Sequence, residues 1–173
     1  LALYNLAQMH SNGVGTPQSC DVSVAFFKAV AERGPWGTML QDAHRALHGK
    51  GGAARALVLY LALAECGYEV AQANAAFLLD QHYAKSPGVP LLGLAGDELP
   101  RLAFELYRRS ATQGNTDAEI KMGDYYYYGS GTNASHETSV SHYRVAADAR
   151  NPQAMFNLAY MYAHGLGLPR DLH

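Results

Sequence analysis

Apolar and small residues recur at spacings of four and three along most of the chain, the period that lines one face of an α-helix. Ala2, Leu6 and Ala7 form one such set, Ala118, Met122 and Gly123 a second, and Ala154, Leu158 and Ala159 a third. Each is followed at a fixed distance by two glycines: Gly13 and Gly15, Gly129 and Gly131, Gly165 and Gly167. These predict a helix A that ends at a Gly-x-Gly turn, because glycine takes the positive φ of a helix C-terminus without strain.

A second set predicts the helix that follows. An aromatic residue, an alanine four later and a glycine three after that occur at Phe27, Ala31 and Gly34, at Tyr60, Ala64 and Gly67, and at Tyr107, Ala111 and Gly114. Tyr143, Ala147 and Arg150 make a fourth copy without its glycine. The aromatics are 33, 47 and 36 residues apart, from 27 to 60, 107 and 143. Such spacings bracket the period of helix-turn-helix solenoids. Units of about 1–34, 35–67, 68–114, 115–150 and a partial 151–173 follow, as one repeat domain. Ala31, Ala64, Ala111 and Ala147 are expected where helix B crosses its neighbours closely, so that enlarging Ala64 to Leu overpacks the contact.

Two units depart from this pattern. The second has a weak helix A, periodic at Met39, Leu40, Ala43 and Leu47 but followed by Gly49, Gly51 and Gly52. The third carries an insertion, Ser86 to Asp97, whose prolines and glycines forbid a helix while Val89, Leu91, Leu92 and Leu94 stay apolar. That loop is expected to fold back or to touch a partner, with Asp97 as a cap ahead of Pro100 in the first turn of the next helix.

Composition narrows the function. The 173 residues include 17 Gly, only 5 Phe and 1 Trp, and 49% hydrophobic residues, enough for a core packed through small side chains. A net charge of -2 gives no field that attracts nucleic acid. The central apolar run Ala56 to Ala64 is far shorter than the roughly 20 residues of a membrane helix. Because it opens inside a helical pattern and stops after a turn, the chain reads as a piece of a longer protein.

Candidate chemistry is sparse. His44 and His48 share a helical face at i, i+4, but no carboxylate or cysteine is spaced to complete a metal set, and two solvated histidines are the simpler reading. Ser19, Ser23, Ser135 and Ser139 stand at helix starts or in loops with no nucleophile elbow. Gly13-Val14-Gly15 lacks the third glycine and the strand of a phosphate loop. No enzyme and no cofactor is expected. Cys20 and Cys66 lack repeat-wise partners and read as unpaired, largely buried thiols. Asn133-Ala134-Ser135 is an N-glycosylation acceptor sequence in a polar turn.

The run Tyr125 to Tyr128 cannot be wholly buried, because successive helical residues point about 100° apart. Repeat alignment makes Tyr126 the core member, the equivalent of Tyr162 in the next unit, with Tyr125 also near the packed face. Tyr127 and Tyr128 are left to pack on the next unit or to form a contact surface. Trp36 is either a wedge between repeats or a partner contact. With Leu91, Leu92 and Leu94, these are the candidate partner-binding residues.

The two signatures together resemble those of the Sel-1-like repeat family, relatives of tetratricopeptide repeats. The segments ALYNLAQMHSNGVG, ERGPW, AECGYEVAQANAAFLLDQ, IKMGDYYYYGSGT, SHYRVAADA and FNLAYMYAHGLGLPRDLH are similar to the C-terminal repeat block of the family's luminal adaptors of endoplasmic reticulum-associated degradation. The resemblance implies an all-α, right-handed α/α superhelical solenoid of antiparallel hairpins and a non-catalytic protein-binding role. It further implies residence in the endoplasmic reticulum lumen, an anchor outside this segment, and as partners the membrane ubiquitin ligase and lectin-type substrate receptors. Self-association is a further expectation. The rival readings are a Sel-1-like scaffold of an unrelated signalling or secreted assembly and a helical-repeat hydrolase, for which no catalytic pair is present.

Overall fold

A computed structural model describes residues 2–31, 34–49, 52–85 and 91–171. Among the described residues there are nine α-helices and no strand: α1 Ala2–Asn12, α2 Cys20–Ala31, α3 Pro35–His48, α4 Gly52–Glu65, α5 Glu69–Lys85, α6 Glu98–Ala111, α7 Thr116–Tyr128, α8 His136–Asp148 and α9 Pro152–His164. Odd-numbered helices are the predicted A helices and even-numbered ones the B helices. The chain divides into two compact units, Leu1–Leu59 and Tyr60–His173.

In the first unit α1 and α2 pack as a hairpin. The buried Ser23 hydroxyl donates to the Ala7 carbonyl at 3.0 Å, and the Ser19 amide donates to the His10 carbonyl at 2.9 Å. In the second unit α5, α6, α7, α8 and α9 pack in succession. There the Ser139 hydroxyl donates to the Gly123 carbonyl at 2.8 Å and the Ser135 amide to the Tyr126 carbonyl at 2.8 Å. All four positions are displaced by 116 residues from their counterparts in the first hairpin, so one pair of bonds is repeated. The tight crossing is therefore the pair Ala7/Ser23 and Gly123/Ser139, and its repeat equivalents Ala43/Ala56 and Ala76/Ala103 are fully buried.

This moves the predicted crossing. Ala64 and Ala111 are buried as expected, but Ala147 is half-buried and Ala31 is exposed. The alanines at 64, 111 and 147 instead serve the helix end. The amides of Gly67, Gly114 and Arg150 donate to their carbonyls at 3.0, 2.8 and 2.8 Å, and the next amides donate to Leu63, Ser110 and Ala146 at 3.2, 3.3 and 3.1 Å. That bond pair closes a helix through one left-handed residue. Its φ is +91° at Gly67, +88° at Gly114 and +62° at Arg150, a side chain held where glycine is the easier residue. Gly34 differs, at φ -85°, because it serves as the N-cap of α3.

All six Gly-x-Gly glycines have the predicted positive φ, between +63° and +72°. The second glycine has an additional reason. A Cβ on Gly131 would lie 2.6 Å from the Pro100 carbonyl oxygen, and one on Gly167 would lie 2.4 Å from the His136 carbonyl carbon. Pro100 and His136 occupy equivalent places in the first turns of α6 and α8, so each turn presses its backbone against the start of the preceding B helix. Only a residue without a side chain fits there.

Side-chain caps start α7, α8 and α9: Asn115, Ser135 and Asn151 accept from Ala118, Thr138 and Gln153 amides at 3.0, 3.3 and 2.9 Å. Asp97 holds the N-cap position of α6 as expected, its carbonyl accepting the Arg101 amide at 3.2 Å, but its side chain makes no cap bond, and the Glu98 carboxylate accepts from the Ala95 amide at 2.9 Å. The described part of the insertion folds back on itself, with Leu91 and Leu94 exchanging backbone bonds of 2.9 Å each. Ser86 to Pro90, including Val89, lie outside the described residues.

A half-buried acid sits where three helices of the second unit meet. The Tyr125 hydroxyl of α7 donates to the Asp80 carboxylate of α5, with Tyr107 of α6 packed against Tyr125 at 5.8 Å between rings. Burial raises the Asp80 pKa from its ordinary value, outweighing the opposing effects of the Tyr125 bond and the Lys121 charge. Burial and the adjacent Asp80 charge raise both phenols as well.

Candidate partner-binding groove

The A helices α7 and α9 run on either side of a hollow of about 560 Å³, floored by Tyr143 of α8 and Met161 of α9. The placement follows from the repeat. Ile120, Val140, Tyr143, Ala146, Ala154 and Met161 form the core beneath, and they leave the opposite flanks of α7 and α9 facing one another across the gap.

Chemically the groove has two parts. Lys121 and Asp124 of α7 and Gln153 and Asn157 of α9 supply polar groups. Lys121 lies 3.7 Å from Asp124, whose other carboxylate oxygen accepts from the Tyr143 hydroxyl at 2.7 Å, and Gln153 donates to Asn157 at 2.9 Å. Burial and the Asp124 bond raise the Tyr143 pKa, which keeps that phenol a donor. The remainder is aromatic: Tyr127, Tyr128, Phe156 and Tyr160. Tyr128 is 76% exposed and Phe156 67%, far more than a packed ring requires. Tyr127 and Tyr128 meet edge-on at 4.9 Å, and Tyr160 rests on His164 at 4.3 Å.

The tyrosine run is thus sorted, with one correction. Tyr125, not Tyr126, is the core member, because Tyr107 of α6 packs on Tyr125 while Phe104 of α6 lies against both rings. Tyr126 is half-buried and stacks on His142 of α8 at 5.4 Å, where His142 also meets Glu119 at 2.7 Å. Tyr127 and Tyr128 come together in the groove. Phe156, Tyr160, Gln153 and Asn157 were not singled out from the sequence, although the aromatic density of MFNLAYMY was a usable signal.

The other candidates lie elsewhere. Trp36 is an exposed residue in the first turn of α3, and Leu92 is exposed at φ +53° between the half-buried Leu91 and Leu94. His44 and His48 are exposed with their rings 4.5 Å apart, and among the described residues no group of three or more potential ligands is assembled for a metal. Cys20 and Cys66 are both free and, against expectation, exposed; Cys20 opens α2 and Cys66 follows α4, beyond the packed faces. Asn133 is exposed in the turn between α7 and α8. No helix among the described residues is long and apolar enough to cross a membrane.

The Sel1 repeat family model matches residues 1–35, 70–115, 116–151 and 152–173, most of the chain. The chain belongs to the Sel1 repeat family. Between the first two matched Sel1 segments lie α3 and α4, the unit with the weak helix A. Mouse "Protein sel-1 homolog 2" is 45% identical over 156 residues, 90% of this chain and 22% of that protein. The Arabidopsis thaliana "ERAD-associated E3 ubiquitin-protein ligase component HRD3A" is 45% identical over 143 residues, 82% of this chain and 21% of that protein. The chain thus spans about a fifth of these Sel1 relatives' length. A solved Sel1 repeat protein from Oxalobacter formigenes matches with a TM-score of 0.64 at 21% identity, over 98% of this chain and 47% of that one. The fold is that of an all-α Sel1 solenoid.

Proposed function

We propose that this chain is a non-catalytic, protein-binding segment of an adaptor in endoplasmic reticulum-associated degradation. In this reading the whole protein resides in the endoplasmic reticulum lumen, is anchored through a segment outside these residues, and holds a membrane-embedded ubiquitin ligase and lectin-type substrate receptors. The names and 45% identity of the HRD3A and sel-1 homolog 2 relatives support it. The observation that carries protein binding is the α7–α9 groove, where exposed rings flank paired polar side chains. Rigid aromatics of this kind supply large contact area at small entropic cost. An open hollow shared by two helices suits a partner's segment better than an enclosed reacting molecule.

The test is co-precipitation of the ligase with the full-length protein carrying Tyr128→Ala and Phe156→Ala together. Recovery is expected to fall by about tenfold or more, as for loss of a binding hot spot, with unchanged helicity. Undiminished recovery removes the groove from the contact.

A further inference from the structure

We infer that Asn133 carries an N-linked glycan, and that it is attached before the α7–α8 hairpin closes. The inference rests on the luminal residence proposed above. The acceptor triplet Asn133-Ala134-Ser135 occupies the A–B turn of the α7–α8 hairpin. Asn133 is exposed and borders a hollow of about 470 Å³ whose other walls include Tyr83, Asp97, Arg101 and Thr132. A first sugar on the amide has a ready seat there, with an aromatic face and charged hydrogen-bonding groups, and it does not enter the core.

The order of events comes from Ser135. An N-glycosyl transferase needs the asparagine amide and the hydroxyl two residues on at the same time. In the folded hairpin that hydroxyl is engaged: it accepts from the Thr138 amide at 3.3 Å and meets the Thr138 hydroxyl at 2.8 Å, as the cap of α8. The Ser135 amide is also fixed, to the Tyr126 carbonyl at 2.8 Å. The acceptor is therefore available on the open chain and withdrawn once α8 is capped. The transfer uses a lipid-pyrophosphate-linked oligosaccharide. The Asn133 amide nitrogen bonds to the anomeric carbon of the first sugar, the bond from that carbon to the lipid pyrophosphate oxygen breaks, and the amide proton leaves to a base. No redox change occurs.

The experiment expresses the full-length protein in animal cells with a flexible tag that bears its own acceptor triplet. Peptide N-glycosidase treatment and mass spectrometry of the Asn133 peptide read both sites. Occupancy at Asn133 is expected, lost in Asn133→Gln, and raised in Ser135→Thr, which keeps both hydroxyl and cap. Folded, unglycosylated protein offered to microsomal transferase with the lipid-linked donor is expected to stay unmodified at Asn133 while its tag is modified. A modified tag beside an unmodified Asn133 in cells overturns the glycan while leaving the luminal reading intact. An unmodified tag overturns the luminal reading and the glycan with it. Efficient modification of the folded protein overturns the order of events.

Discussion

The hairpins α1–α2 and α7–α8 share one signature and differ in what surrounds it. Both tie helix B to helix A through a buried serine, Ser23 to Ala7 and Ser139 to Gly123. Both turn through two left-handed glycines. A Cβ on Gly131 would also meet the Pro100 backbone at 2.6 Å, in a helix start 31 residues upstream whose equivalent for Gly15 falls ahead of residue 1. The helix-B aromatics differ: Phe27 is exposed in the first hairpin, Tyr143 is buried in the other. Tyr143 reaches its place only because residue 123 has no side chain; a Cβ there would lie 2.4 Å from its ring. The signature thus encodes two separable things, a hairpin and a contact between hairpins, and in α7–α8 both can be seen.

The largest expected effect would break that distinction if absent. Gly131→Ala adds left-handed strain of about 1–2 kcal/mol to a backbone collision of about 1–3 kcal/mol, while Gly114→Ala, at φ +88° with open space for a Cβ, adds only the strain. Urea denaturation should show the Gly131 variant as clearly the less stable; equal midpoints would refute a stacking role for the second glycine. Next in size, Gly123→Ala should cost about 1–3 kcal/mol through overpacking against Tyr143. A companion Tyr143→Leu change should recover part of it, which a double-mutant cycle measures. Ser139→Ala and Ser23→Ala should each cost about 1 kcal/mol, and a marked inequality would show that the shared bond is not equivalent in the two hairpins.

A pH series sharpens the contrast further, since in the second unit Asp80 of α5 accepts from Tyr125 of α7. Its pKa is raised in the fold, chiefly by burial. Its favourable share of stability is therefore complete only below the unfolded carboxyl value of about 3.9, and is lost as pH rises through the raised value. Asp80→Asn should gain more in urea midpoint, relative to the parent, at pH 7 than at pH 4; the reverse order would contradict a raised value. Smallest of all, Tyr128→Ala should move stability by no more than about 0.5 kcal/mol, as expected for an exposed side chain.

Much of the fold was legible because its glycines and small residues answer to the main chain. A positive φ or a close backbone approach admits few residue types, so Gly13, Gly129 and Gly165 announce helix ends in any context. What failed was phase within a helix. Tyr125 and Tyr126 are neighbours in sequence, and the choice between them depends on α6, where Phe104 touches both rings and Tyr107 packs on Tyr125. Ala31 fits the spacing of Ala64 and Ala111, but spacing carries no information on whether a neighbour is there to cover it. The groove was half visible: Tyr127 and Tyr128 stood out by being one aromatic too many, while Phe156 and Tyr160 acquire meaning only opposite them.

The contacts of Gly131 on Pro100 and of Gly167 on His136 are made by main chain on both sides. The spacing between successive hairpins there is indifferent to which side chains face outward. Rings and amides along the α7–α9 hollow are accordingly free to diverge among relatives without disturbing the pitch of the stack, so that recognition can drift while the scaffold beneath it keeps its dimensions.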